Sequence, residues 1–330
     1  MRTRRRWIAL LLAGALLAPL AGARAQRAPD FVAAIEQEDV MAHARALSVA
    51  IGARPMGSEA EQRAAEYVAA ALRDWGYSVE VQTFETDPPG APNSATSRNV
   101  IATRPGSGSP VVVGAHLDSA EVGAGAGDNA SGVAVMLAVA EALRDLDAAH
   151  PLVFVAFGAE ENGAPSGAEV YVERLGPSAQ DILAMINIDS VGVGAALHVY
   201  AGAQMVNRNG SDATPEFEAG PTWVRDLALD LAGEMAISVG TTPDDTWRGS
   251  IGPWSDHYPF VMAGVPVVYF EAWWWDGAAD PWWGQETPDG DVLHTAGDVY
   301  AALKPAQMEQ AAELVAATAA ALASGSAGPE

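Results

Sequence analysis

Short apolar runs alternate along this chain with stretches in which apolar residues recur at helical spacing. Residues 37–50 and 59–75 have the helical pattern, the second through Ala60, Ala64, Val68 and Leu72. Ser58, with Glu61 three residues on, is placed to cap that second helix. Residues 77–84 alternate as a strand does, and 86–98, rich in Pro, Ala, Asn and Ser, read as a loop. Residues 99–103 and 111–115 predict strands. Residues 130–146 predict an amphipathic helix with Val133, Met136, Leu137, Ala140 and Leu143 on one face. The unbroken apolar run 152–157 predicts a central strand covered on both faces, and 182–188 predicts a second. Helices are expected at 167–175, 222–235 and 305–322, a strand at 265–270, irregular chain at 202–220, and a frayed tail from Ser324. No internal repeat or domain boundary interrupts this order. The alternation predicts an α/β fold, a three-layer α/β/α sandwich on a mostly parallel central sheet.

Composition narrows the chemistry. Of 330 residues, 49% are apolar, enough for a sizeable core. The formal net charge of −24 argues against nucleic-acid or anionic-membrane partners, which require basic patches. Without cysteine there is neither a disulfide framework nor a thiolate metal site, so any metal is held by His, Asp and Glu. Arg2, Arg4, Arg5 and Arg6, the apolar run 7–20 and Ala23-Arg24-Ala25 make the three parts of a signal peptide over residues 1–25. The run is short for a membrane anchor of about 20 residues. Cleavage would remove five arginines and take the charge to −29. The expected product is secreted or periplasmic, by Sec or, given Arg4-Arg5, by a twin-arginine route, with no stable membrane association after cleavage.

Candidate chemistry collects at strand ends. His116 and Asp118 follow the strand at 111–115, Glu160 and Glu161 follow 152–157, Asp189 ends 182–188, and Asp128 opens the helix after the first of these. Ligands of open α/β sheets bind at the carboxyl ends of strands. Each residue alone has an ordinary reading: Asp128 as a helix-start residue, Asp189 as a turn cap, Glu160-Glu161 as a solvated loop. Their joint placement points to one crevice, since a charged pair beside a buried strand must be solvated, paired or metal-bound.

At these residues the sequence resembles the M28 aminopeptidases. The segments Val112-Val113-Gly114-Ala115-His116-Leu117-Asp118-Ser119, Gly127-Asp128-Asn129-Ala130-Ser131-Gly132, Ala159-Glu160-Glu161, Asn187-Ile188-Asp189, Ser255-Asp256-His257 with Phe260, and His294-Thr295 with Asp298 stand in that family's order. Ala53-Arg54-Pro55-Met56-Gly57-Ser58 and Arg98-Asn99-Val100-Ile101-Ala102 are similar to its upstream segments, so the likeness covers about residues 35–320 of one domain, 26–330. It implies a mixed sheet and two zinc ions, bridged by Asp128. His116 and Asp189 would complete one ion's protein ligands, and Glu161 and His294 the other's. Glu160 would be the general base for a metal-activated water, Asp118 would orient His116, and the Asp128–Asn129 peptide would be cis.

The charges fit this independently. Two Zn²⁺ against Asp128, Glu161, Asp189, two neutral histidines and one hydroxide give a neutral first shell. Imidazole and carboxylate suit zinc, with Co²⁺ or Mn²⁺ as substitutes. The expected substrate is a peptide or protein N-terminus, with Asp256, His257 and Phe260 as candidate pocket residues and His257 a candidate oxyanion donor. Trp273-Trp274-Trp275 with Trp282 and Trp283 either wall an apolar side-chain pocket or pack against the core. His43, His150 and His198 lie in no motif. Two rivals remain: glutaminyl cyclisation or carboxypeptidase cleavage on the same scaffold, and a non-catalytic ectodomain, against which the complete residue set argues. Oligomeric state is left open.

Overall fold

The computed structural model describes residues 31–88, 93–161, 163–164, 166–206, 216–242, 249–276 and 284–328. The expected signal peptide, Trp282 and Trp283 lie outside them. Among the described residues nine strands make one sheet: β1 (Ser78–Thr86), β2 (Ala95–Arg104), β3 (Val111–His116), β4 (Leu152–Phe157), β5 (Ala184–Ile188), β6 (Ala196–Val206), β7 (Glu216–Ala219), β8 (Ser250–Ile251) and β9 (Val267–Trp273), in the order β1-β2-β4-β3-β5-β9-β6-β7 with β8 on β6. The sheet is mixed. Strands β4, β3, β5 and β9 run parallel in the centre, while the β1-β2-β4 and β9-β6-β7 pairings on the flanks are antiparallel.

The central strands are apolar on both faces because both are covered. Leu152, Phe154 and Ala156 of β4 face one core, while Val153, Val155 and Phe157 face the other, following the two-residue period of a strand. One outer layer holds α1 (Gln37–Arg45), α2 (Glu59–Asp74), α3 (Gly132–Ala142), α5 (Trp223–Met235) and α7 (Pro305–Ala323); the other holds α4 (Gly167–Leu175) and α6 (His257–Met262). The three-layer expectation is met. Ser58 accepts the N–H of Glu61 at 3.1 Å as the cap of α2, and Pro305 opens α7, where its missing N–H costs nothing.

Several expectations need correction. Residues 202–220 are not irregular at their described ends: β6 runs through Val206 and β7 covers Glu216–Ala219. Strand β2 starts at Ala95, inside the segment expected as loop, because its polar residues pair in register with β1 from Thr86 onward. Helix α3 is shorter than 130–146 and is not amphipathic; every residue from Gly132 to Ala140 is buried between the sheet, α1 and α7. Gly132 is required at its start, since a Cβ there would lie 2.3 Å from Asn129 Oδ1 and 2.4 Å from the Ile188 carbonyl. That close approach sets the turn carrying Asp128 against the end of β5, which carries Asp189.

Candidate metal centre

The carboxyl ends of three adjacent parallel strands and one distant loop converge. His116 is the last residue of β3, Glu160 and Glu161 follow β4, and Asp189 follows β5. Asp128 enters from the turn before α3, where two bonds hold the backbone: Asp298 accepts the N–H groups of Gly127 and Asp128, the latter at 3.2 Å. The Asp128–Asn129 peptide is cis, as the resemblance implied. Asn129 then joins the turn to β5, donating to the Ile188 carbonyl at 2.9 Å and accepting from Ser190 N–H at 3.1 Å. Ala159, Ser190 and His294 all have positive φ without being glycine. Such backbone is disfavoured for side-chain-bearing residues and collects at functional sites.

The Asp128 carboxylate faces both ways. Its Oδ1 lies 3.0 Å from His116 Nε2, and its Oδ2 lies 2.9 Å from His294 Nε2. Asp189 Oδ1 is 3.3 Å from the His116 nitrogen, and Glu161 Oε2 is 2.9 Å from the His294 nitrogen. Thus the five residues form two clusters sharing Asp128. His116, Asp128 and Glu161 each offer a ligand atom, all within 4.8 Å of one another, a spacing one metal ion can bridge.

The electrostatics draw positive charge to this space. Burial alone would lower the His116 pKa, but Asp189, Asp118 and Asp128 hold it well above the ordinary value. His294 is raised to about 11 by Asp128 and Glu161. Asp128, although burial opposes it, is pulled well below the usual range by the two imidazoles. A donor set of two nitrogens and three carboxylates, oriented toward shared cationic positions and lacking sulfur, fits a divalent ion of the zinc type.

Asp118 braces the cluster. Its Oδ1 accepts the Glu160 N–H at 3.0 Å and its Oδ2 the Glu161 N–H at 3.1 Å, with Oδ1 3.7 Å from His116 Nδ1. The Ala120 N–H donates to Glu161 Oε1 at 2.7 Å. Glu160 points instead into a cavity of about 170 Å³ that it lines with Asp256, Ser255 and Trp254. Asp256 is 2% exposed, and among the described residues neither of its carboxylate oxygens has a hydrogen-bond partner. Burial raises the carboxyls of both Glu160 and Asp256 well above the ordinary range; Asp189 and Asp118 add to the rise, and His116 opposes it.

Two expected pocket residues are placed otherwise. Phe260 is fully buried in an aromatic group with Phe157 and Tyr171, centroids 6.1 and 5.9 Å away, because α6 docks there on the sheet. His257 is also fully buried and stacks on Tyr269 at 4.9 Å. Its Nε2–H is engaged by the Gly252 carbonyl at 2.9 Å and its pKa is lowered to about 4 by burial. The neutral ring therefore presents Nδ1 as an acceptor, which cannot donate to an oxyanion. Trp275 packs edge-on against Tyr200 and donates to its hydroxyl at 3.1 Å, a packing role. His43, His150 and His198 bond to Tyr67, the Ser109 carbonyl and the Ala196 carbonyl, away from the cluster. Sequence reasoning misses Asp298, Asn129 and Arg54 as site residues. All three stand in motif segments, but no spacing rule marks a brace.

The family match and the aminopeptidase relatives place the chain in a class, the metallo-exopeptidase hydrolases. The chain belongs to peptidase family M28, whose profile matches residues 99–319. It is 33% identical over 264 residues to leupeptin-inactivating enzyme 1 of Streptomyces exfoliatus, covering 77% of this chain and 52% of that one. It is 29% identical over 258 residues to the alkaline phosphatase isozyme conversion protein of Escherichia coli K12, covering 71% of each. Against aminopeptidase YwaD of Bacillus subtilis it is 30% identical over 63% of this chain and 40% of that one. The chain thus spans about half or less of two of these relatives. Among solved structures, a zinc aminopeptidase from Bacillus subtilis superposes with a TM-score of 0.66 at 19% identity, over 86% of this chain and 94% of that one. A glutaminyl cyclase from Porphyromonas gingivalis does so with 0.65 at 20% identity, over 85% and 96%. At such identity these likenesses speak to the fold. Among the described residues no helix is long and apolar enough to cross a membrane.

Proposed function

We propose that this chain is an exported di-zinc aminopeptidase that removes residues from peptide N-termini. The observation that carries the reading is the Asp128 carboxylate, with one oxygen toward His116 and Asp189 and the other toward His294 and Glu161. His116, Asp128 and Asp189 would hold one ion, and Asp128, Glu161 and His294 the other; Co²⁺ or Mn²⁺ would serve in place of Zn²⁺. When bound, zinc supplies Lewis acidity, polarising the scissile carbonyl and acidifying a water. The chain's own groups do the rest. Glu160, held by Asp118 through its N–H, takes the water's proton and returns it to the leaving amine. Asp118 stands 3.7 Å from His116 Nδ1, a neighbouring charge for the ring without a hydrogen bond to it. Asp256, buried without a partner beside Glu160, receives the substrate's α-ammonium, which would satisfy acceptors otherwise costly to bury. Export follows from the signal-like residues 1–25, leaving one domain over 26–330.

The test is a panel of aminoacyl-nitroanilides and matched N-acetylated peptides, with and without chelator. Cleavage of free N-termini alone, lost with chelator and restored by zinc, is expected. Equal cleavage of acetylated substrates would refute the aminopeptidase reading. Formation of pyroglutamate from N-terminal glutamine, with one metal per chain, would favour the cyclase alternative instead.

A further inference from the structure

Arg54 lies in no strand or helix and is not among the candidate ligands, yet it is 1% exposed. Buried guanidinium groups ordinarily meet carboxylates. Among the described residues, every bond from this side chain goes to a main-chain carbonyl: Nε to Leu117 at 2.9 Å, Nη2 to Gly125 at 2.8 Å, and Nη1 to Gly52 and Ala124, each at 3.1 Å, and to Leu47 at 3.4 Å. Its backbone is tied to the same region, donating to Ser119 Oγ at 2.9 Å and accepting the Ser119 N–H at 3.2 Å. Burial lowers its pKa to about 10, with Asp118, Asp298, Asp128 and Glu161 opposing, so the group is charged at neutral pH.

These contacts grip both ends of one loop. Residues 117–125 leave β3 immediately after His116 and lead to the turn bearing Asp128. The arginine fork holds Leu117 at the entry and Ala124–Gly125 at the exit. Between those points stand Asp118, which takes the N–H groups of Glu160 and Glu161, and Ala120, whose N–H donates to the Glu161 carboxylate.

We propose that Arg54 is a positioning residue that keeps Glu160 and Glu161 in place by clamping the 117–125 loop, acting through Asp118 and Ala120. The proposal rests on reading Glu160 as the base and Glu161 as a metal ligand. A planar fork with donors on three nitrogens spans Leu117 and Gly125 together; an ammonium, with all donors on one atom, does not. The charge faces four carboxylates without bonding to any, so the clamp leaves the ligand oxygens free.

The test is a double-mutant cycle of Arg54→Lys and Asp118→Asn, read as kcat, KM and zinc retained against a chelator. Alone, Arg54→Lys is expected to lower kcat about tenfold or more with KM within about twofold, and to release zinc at lower chelator concentration. With Asp118→Asn present, the same change should cost less than about threefold in kcat, because the path to Glu160 through Asp118 is already cut, while the path to Glu161 through Ala120 still lowers zinc retention. Independent, multiplicative losses overturn the proposal. If the lysine variant does not fold, Ser119→Ala replaces it. This removes the hydroxyl that accepts the Arg54 N–H and donates to the Ala120 carbonyl at 3.1 Å, leaving the guanidinium in place; its expected kcat loss of about two- to threefold should vanish in the Asp118→Asn background, and a loss that persists there overturns the proposal. Wild-type protein inactive on every free N-terminal amide would retire the aminopeptidase reading. Zinc retention would still decide on Arg54, with wild-type retention in the variant counting against it.

Discussion

The two sides of the cluster use the same donors in different surroundings. His116 ends a central strand, has a side chain 1% exposed, and is backed by Asp118 and Asp189. His294 comes from a loop, stands at positive φ and has a side chain 62% exposed. The sheet builds one side and the loop builds the other. On the buried side, folding and the proposed metal binding draw on the same contacts. On the open side the two are separable, since the exposed imidazole contributes little to the core.

Glu160, between cavity and cluster, gives the largest expected effect. Glu160→Gln should lower kcat by about 10²- to 10⁴-fold while metal content stays unchanged, measured by steady-state kinetics and elemental analysis. Retention of full activity would remove Glu160 as the base. Phe260 tests where the site stops and the core begins: Phe260→Ala should destabilise by about 3–5 kcal/mol in urea unfolding while leaving KM within about twofold. A large KM change with little loss of stability would return it to the pocket.

The contrast between the histidines is sharpened by unfolding in chelator. His116→Ala leaves buried Asp189 and Asp118 without their cationic partner and takes one of two from Asp128, and should cost about 1–3 kcal/mol, whereas His294→Ala, which removes the other partner of Asp128 from an exposed loop, should cost less, about 1 kcal/mol or under. Equal losses would erase the distinction. The smallest effect concerns Glu61, buried beneath the base loop, where its carboxylate accepts the Gly57 N–H at 2.7 Å and the Ser97 hydroxyl. Burial, the largest influence, raises its pKa to about 7. The folded state then holds this proton more tightly than the unfolded chain. Its stabilising contribution is full below about pH 4.5 and is lost as pH rises through about 7. Glu61→Gln should flatten that part of the stability profile; an unchanged slope would assign it to other groups.

Much of the fold and of the site is legible in the chain's pattern of residues. Buried parallel strands announce themselves as apolar runs, so β3, β4 and β5 stand out together with the polar residues at their ends. The flanking strands are harder: β6 contains Gly202 and small alanines, and β2 begins among Ser and Thr, so their pairing depends on neighbours distant in sequence. Asp256 is within reach because it is polar beside a motif. Phe260 and His257 are misplaced by the same reasoning, since a motif fixes order along the chain, not which side of a short helix faces the core. Arg54 shows the remaining limit: its partners are carbonyl oxygens, which every residue has.

The central claim is that Asp128 serves two ions at once. Native mass spectrometry of zinc-loaded protein tests it most directly. Two zinc ions per chain are expected in the wild type, one in His294→Ala, and none or one, weakly held, in Asp128→Asn. A fully active wild type with a single zinc, unchanged in stoichiometry by His116→Ala, would contradict it.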